Sequence, residues 1–293
     1  VTARAAAGLS VAVLAVSWGA PLARLTDAAP LAVAMWRMVL ATVLLAPVGL
    51  AGAGGLPSRQ GRGGAALASV FLGLHFGLWI PSLWLTSVAA SVVLVSTAPL
   101  FVLVLSPRFL GVPIRGRNLA SFALALGGVA VISWGDFNLS SRALVGDLMA
   151  LAAAACMAGY LVAGKRVRMK VRLATYLTAV YGGAALVLVG AVAVLGVDPL
   201  PRTAVAWLPL LAMALGPTLT GHTLLNWALA HVEAYKVNLT VLLEPVLSAL
   251  WAWLVLAEAP PLHVLPGAGL VLLAVALEYL PDARQKAQAI ACQ

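Results

Sequence analysis

Ten apolar runs, each about as long as a bilayer's hydrocarbon layer is thick, follow one another along the chain with only short breaks between them. A helix crossing that layer needs about 20 apolar residues. The runs fall at 5–23, 30–51, 64–86, 90–107, 117–134, 145–164, 172–196, 207–230, 236–256 and 262–280. Most breaks carry turn chemistry or charge, as in LPSRQGRGG (56–64), GDFNLSSR (135–142) and GKRVRMKVR (164–172). The weakest is TSVAAS at 86–91, which rests on the length of the apolar block around it. The first run is short enough to pass for a signal peptide, but with many more runs behind it, it reads as the first span.

Composition agrees: 63% of the 293 residues are hydrophobic and 9% charged, and the mean hydropathy is +1.04. A soluble domain averages about 45–50% apolar and about 25% charged residues. No water-soluble core could hide this much apolar surface, so the surrounding solvent is lipid. The net charge of +9 does not indicate nucleic-acid binding, because the basic residues sit in short clusters between apolar runs. With the N-terminus placed in the cytoplasm, 14 Lys and Arg fall on the cytoplasmic side and only Arg24, Arg142 and Arg202 on the other, with Arg37 inside a span. The expected fold is therefore all-α, with ten transmembrane helices and both termini cytoplasmic.

The second half echoes the first. Residues 87–112 lie on 233–258 at an offset of 146, matching Pro99 with Pro245, Ala98 with Glu244 and Val112 with Glu258. One span earlier, with a slip of one residue, His75 meets His222 and Trp79 meets Asn226. Five spans per half is an odd number, so the halves would be inverted in the membrane, around a central cavity near its midplane. The corresponding boundaries are 1–140 for the first repeat, 141–284 for the second and 285–293 for a cytoplasmic tail.

Polar groups inside spans are costly and therefore informative. His75 lies near the middle of its span, with Trp79 at i+4 on the same face and Gly73 and Gly77 bracketing it for close approach of another helix. Each histidine is read either as a buried donor satisfied by a neighbouring carbonyl or as part of a pathway. Pro99 and Pro245 each remove one helical hydrogen bond. Glu244 beside Pro245 either locks a kink, pairs with Arg37, or carries a proton. Arg37 itself has three readings: reaching the headgroups, forming a buried pair, or meeting an anionic group on a substrate. Trp18 adjoins an irregular SWGAP stretch (17–21), and Tyr160 is the matching feature of the sixth span. Asp147 reads as an acid at a helix start. Trp36, Trp134, Trp207, Trp251 and Trp253 read as interfacial or lipid-facing.

Enzymatic chemistry finds no support in the sequence. The five aspartates lie in breaks or at span ends, there is no H-E-x-x-H, and Cys156 and Cys292 stand too far apart for a metal knuckle. No cofactor or catalytic residue is expected. No G-x-x-x-x-G-K-[ST] motif is present to supply ATP drive.

LSVAVLAVSWGAPLARLTDAAPLAVAMWRMVLATVLLA (9–46), VGDLMALAAAACMAGYLVAGKR (145–166) and LLEPVLSALWAWLVLAE (242–258) resemble the drug/metabolite transporter superfamily, in its EamA-type ten-span branch. Two departures stand out: Val112 replaces a closing Glu in the first half, and Ala257 replaces a Gly in the second. The resemblance implies a permease of the bacterial inner membrane, often an exporter, for varied small metabolites and amphipathic compounds. Neutral or aromatic amino acids are one cargo class among these. The expected substrate lining is Trp18, His75, Trp79, Thr97, Tyr160, His222 and Asn226. Glu244, Arg37, Pro99 and Pro245 are assigned to coupling or gating, with protons a candidate coupling ion. A channel and a non-transporting sensor are the competing functions. Oligomeric state and direction of transport are not legible.

Overall fold

The computed structural model describes residues 3–51, 59–111, 116–168, 171–228, 240–241 and 243–279. Among these, the regular elements are helical. The first half comprises α1 (Ala3–Ser17), α2 (Gly19–Arg24), α3 (Pro30–Leu50), α4 (Arg59–Ser82), α5 (Val88–Val95), α6 (Ala98–Leu110) and α7 (Gly116–Leu139). The second comprises α8 (Ser141–Arg168), α9 (Leu173–Val194), α10 (Trp207–Met213), a π-helical segment (Ala214–His222), α11 (Thr223–Ala228), α12 (Leu243–Leu256) and α13 (Val264–Tyr279). Among the described residues, six helical stretches are long and apolar enough to cross a membrane, and four shorter apolar ones begin at Val88, Asn118, Leu243 and Val264. The loop 230–236, Val112, Asn238 and the tail 285–293 lie outside the described residues, as does the side chain of Asn226.

Local chemistry explains where these helices start and break. Pro30 opens α3 at a position whose N–H would have had no partner. The weak break at 86–91 resolves as a capped helix start: Ser87 accepts a bond from the Ala90 N–H at 3.1 Å. The first run is interrupted at Trp18, between α1 and α2, where SWGAP raised the expectation of irregularity. The fourth run breaks at Ser96–Thr97, two residues before Pro99. There both hydroxyls turn back onto the chain, to the Val92 and Leu94 carbonyls at 2.7 Å each. Asp147 corrects the sequence reading. It lies in the second turn of α8 rather than at its start, and it is fully buried.

Packing repeats across the two halves. α3 packs on α9, α5 on α12 and α7 on α13, so in each of these pairs a run contacts the run five later. The contact of α4 with α8 is answered by that of α1 with the π-helical segment and α11. This exchange pattern is what a two-repeat architecture produces, with each half wrapped into the other. Small residues let the backbones meet. A Cβ added at Gly128 would stand 2.7 Å from the Gly267 carbonyl oxygen, and one added at Gly267 would stand 2.7 Å from that of Gly128. Gly73 similarly faces Val187 of α9. Large apolar side chains lie exposed outside, including Leu186 at 74% and Val194 at 86%. That surface is unfavourable in water and neutral in lipid.

The α7–α13 crossing yields a paired test. Gly128→Ala should destabilise the detergent-purified protein by about 1–3 kcal/mol, the usual cost of overpacking. The neighbouring Gly127 has open space where its Cβ would stand. Gly127→Ala should therefore be neutral or slightly stabilising in the same thermal unfolding measurement.

Candidate functional site

A cavity of about 200 Å³ sits where both halves meet. From the first half, α4 contributes His75, Phe76 and Trp79, α3 contributes Arg37, and the α5–α6 break contributes Val95, Ser96 and Pro99. From the second come His222 at the end of the π-helical segment, Met157 and Leu161 of α8, and Glu244 of α12. The pseudo-equivalent histidines thus line one void.

His75 meets its reading as a buried donor satisfied by a neighbouring carbonyl, and it also lines the cavity. It is 4% exposed and its Nδ1 lies 2.9 Å from the Ala153 carbonyl of α8. A carbonyl can only accept, so Nδ1 carries the proton, and in the neutral ring Nε2 is an acceptor. The imidazole lies nearly parallel to Trp79 at 6.0 Å and edge-on to Phe76 at 4.7 Å. A spacing of i, i+4 on one helical face produces the His75–Trp79 stack.

His222 owes its place to the π-helical turn. Pro217 lacks an N–H and cannot continue the ordinary ladder. The hydroxyls of Thr218 and Thr220 instead bond the carbonyls five residues back, Met213 at 3.0 Å and Leu215 at 2.8 Å. Such wide turns shift the register of all that follows and recur at functional sites.

Arg37 does not reach for the headgroups. It is 2% exposed, with its Nε–H donating to Thr218 Oγ1 at 2.9 Å. Its Cζ lies 4.3 Å from the Phe76 ring centroid and 5.7 Å from that of Trp79. A guanidinium at membrane depth costs about 2.5–3.5 kcal/mol by insertion measurements. A desolvated cation–π contact returns roughly 2 kcal/mol, and the hydrogen bond to a charged donor about 1.5–3 kcal/mol. The three terms nearly cancel. Nη1 of Arg37 and Nε1 of Trp79 are buried and make no hydrogen bond.

Other expected site residues lie around the cavity rather than on it. Trp18 stacks on Trp251 at 5.0 Å. Thr97 is 2% exposed and turned back to Leu94. Tyr160 packs at the edge of the main core. Pro245 is buried in the first turn of α12 beside Glu244. Of the interfacial and lipid-facing readings of Trp251, the lipid-facing one is corrected: its Nε1–H donates to Ser17 Oγ at 2.9 Å, while Ser248 donates to the Ser17 carbonyl at 2.6 Å. The sequence reading missed Phe76, which carries no polar signal, and Ser248.

It also missed an ionic latch beyond the Trp18–Trp251 stack. Glu258 Oε2 pairs with Arg24 Nη1 at 3.1 Å, and Oε1 accepts the Val88 N–H at 2.7 Å. Arg24 also donates to the Leu83 carbonyl at 2.5 Å and lies over the Trp84 ring at 5.7 Å. One carboxylate therefore ties the ends of α2 and α12 to the start of α5, across the two halves. Ala257 precedes it at φ 56°, in the left-handed region that disfavours a Cβ. Acid and base at two span ends of the same side were the available signal.

Comparison with known proteins follows the same division into halves. The model of the EamA-like transporter family matches residues 5–134 and again 144–280. A solved crystal structure superposes with a TM-score of 0.63 over 94% of this chain and 96% of its own, at 20% identity. That likeness concerns the fold. A search of curated proteins returned no match.

Two adjacent variants should move stability in opposite directions. Ala257→Gly relieves the left-handed strain and should gain about 1 kcal/mol in thermal unfolding. Glu258→Ala strips Arg24 and the Val88 N–H of a shared acceptor and should lose about 1–3 kcal/mol.

Proposed function

The chain belongs to the EamA-like transporter family, and from that premise we propose that it is a secondary transporter working by alternating access, with its two halves rocking about the Arg37–His75–His222 cavity. A single observation carries this reading: one void takes its lining from both repeats and holds the two pseudo-equivalent histidines. Ten crossings with both termini cytoplasmic fit the distribution of basic residues, 14 against 3. An odd number of spans per half then makes the repeats inverted, with boundaries near 1–140 and 141–284. In that orientation the Arg24–Glu258 latch lies on the outer face. Leu161 and Val241 line the cavity toward the cytoplasmic one. With that latch closed the molecule would be sealed outside, the state in which an exporter of the bacterial inner membrane would load.

Aromatic and apolar walls with a few polar groups suit a small amphipathic cargo, neutral or aromatic amino acids included. His75, Trp79 and His222 meet that cargo directly, and Trp18, Thr97 and Tyr160 support the walls behind them. Glu244 is the candidate for proton coupling, with Pro99 and Pro245 at the starts of their helices beside it.

Uptake into proteoliposomes should saturate and accelerate when unlabelled cargo is loaded on the opposite side. Saturation without counter-exchange would favour a channel, and no flux a sensor. The gate has its own test. With Cys156 and Cys292 replaced by Ala, a Ser96→Cys variant should react with an impermeant thiol reagent from the cytoplasmic side only. Adding Arg24→Ala and Glu258→Ala should admit the reagent from outside, and continued exclusion would remove the latch from the mechanism.

A further inference from the structure

Two buried donors beside the cavity lack acceptors, and both belong to residues of one wall. Arg37 Nη1 and Trp79 Nε1 make no hydrogen bond, although Arg37 is 2% and Trp79 5% exposed. Both residues line the void, and they are held against each other by the guanidinium lying 5.7 Å from the indole centroid. The rest of Arg37 is fixed: Nε is committed to Thr218, and the Phe76 face supports the guanidinium plane at 4.3 Å. Gly19, at the start of α2, borders the pair, since a Cβ added there would stand 3.6 Å from Nη1 and 3.4 Å from Trp79 Cη2. An unmet donor at this depth is costly. Glu244 lines the same cavity and leaves Nη1 without a hydrogen bond. The free positions are both donors, so what they lack is an acceptor. A single rigid guanidinium flanked by aromatic faces suits one planar carboxylate, which arginine binds with fixed geometry.

We propose that Arg37, with Trp79, anchors the single carboxylate of an apolar-bodied substrate in the cavity between the repeats. This assigns Arg37 to cargo recognition rather than to gating, and it rests on the transport reading above. His75, stacked on Trp79, and Phe76 form the floor for the apolar body. The apolar lining beyond them, Val95, Leu161 and Val275, offers no second cation for a doubly charged headgroup.

The test uses detergent-purified full-length protein and two matched probes: 3-phenylpropionate, which has the carboxylate alone, and phenethylamine, which has the amine alone. L-phenylalanine, with both groups, is run beside them. Thermal stabilisation is titrated to give apparent affinities. The wild-type protein should bind 3-phenylpropionate and L-phenylalanine and prefer each to phenethylamine by roughly tenfold or more, the worth of one hydrogen bond to a charged group. Arg37→Gln should abolish that preference. Because Arg37 also bonds Thr218 and its loss can unfold the protein, Trp79→Phe provides a milder variant. It keeps an aromatic face while removing the N–H, and should cut the carboxylate-to-amine ratio several-fold. Absence of stabilisation by either carboxylate, equal binding of phenethylamine, or an unchanged ratio in both variants would overturn the proposal. Stabilisation matched by acetate at equal concentration would do so as well, since it would mean a simple anion site. Failure of counter-exchange with carboxylate binding intact sinks the transport reading alone. Amine preference in a protein that transports sinks this one alone.

Discussion

Hydrocarbon offers no hydrogen bonds, so a polar group within the bilayer must find its partner inside the protein. Much of the irregular backbone in this structure answers that demand. The Ser96–Thr97 break satisfies its hydroxyls on the preceding turn. The π-helical segment satisfies Thr218 and Thr220 by reaching five residues back, and in doing so sets Thr218 where it can accept from Arg37. Loss of that register would leave the guanidinium with aromatic faces alone. The cavity is thus a consequence of where helices are broken, and the breaks follow from Gly216–Pro217, Pro99 and SWGAP in the sequence.

How much of this could be read beforehand depended on whether a feature carried its own signal. Apolar runs and basic breaks gave the helices, because burial in lipid imposes a length and polarity that no other constraint mimics. The offset of 146 between prolines pointed to two repeats, and the His75–His222 match pointed to one void. Direction of facing was harder. Trp251 looks the same in sequence as the exposed Trp253, and only the neighbouring Ser17 and Ser248 distinguish it. Asp147 has the composition of a helix-start acid, but the helix begins six residues earlier at Ser141. Phe76 gave no hint, since an aromatic ring beneath a cation is compositionally an ordinary core residue.

The repeats share a fold but divide the chemistry. The first half supplies Arg37, Phe76, Trp79 and the Arg24 side of the latch, and the second supplies Thr218, Glu244 and Glu258. Positions related by the repeat differ where charge matters: Ala98 stands against Glu244 and Val112 against Glu258. Packing pairs such as α3 with α9 and α7 with α13, by contrast, stay symmetric. Symmetric contacts allow two arrangements of similar energy, which a rocking bundle needs. In the transport mechanism proposed above, asymmetric charges would bias the choice between them.

That asymmetry bears on how each end can close. Glu258 accepts from both Arg24 and the Val88 N–H, so closure at its end is ionic and directional. Val112, at the matching position of the first repeat, offers neither an acceptor nor a charge. At the opposite end Leu161 and Leu225 border the cavity. Apolar walls that part around water gain hydrophobic drive when they meet again, but such contacts carry little direction. On the transport reading proposed above, an occupant that neutralised Arg37 and filled the void would add the specificity those walls lack, and the cargo would then take part in closing that end.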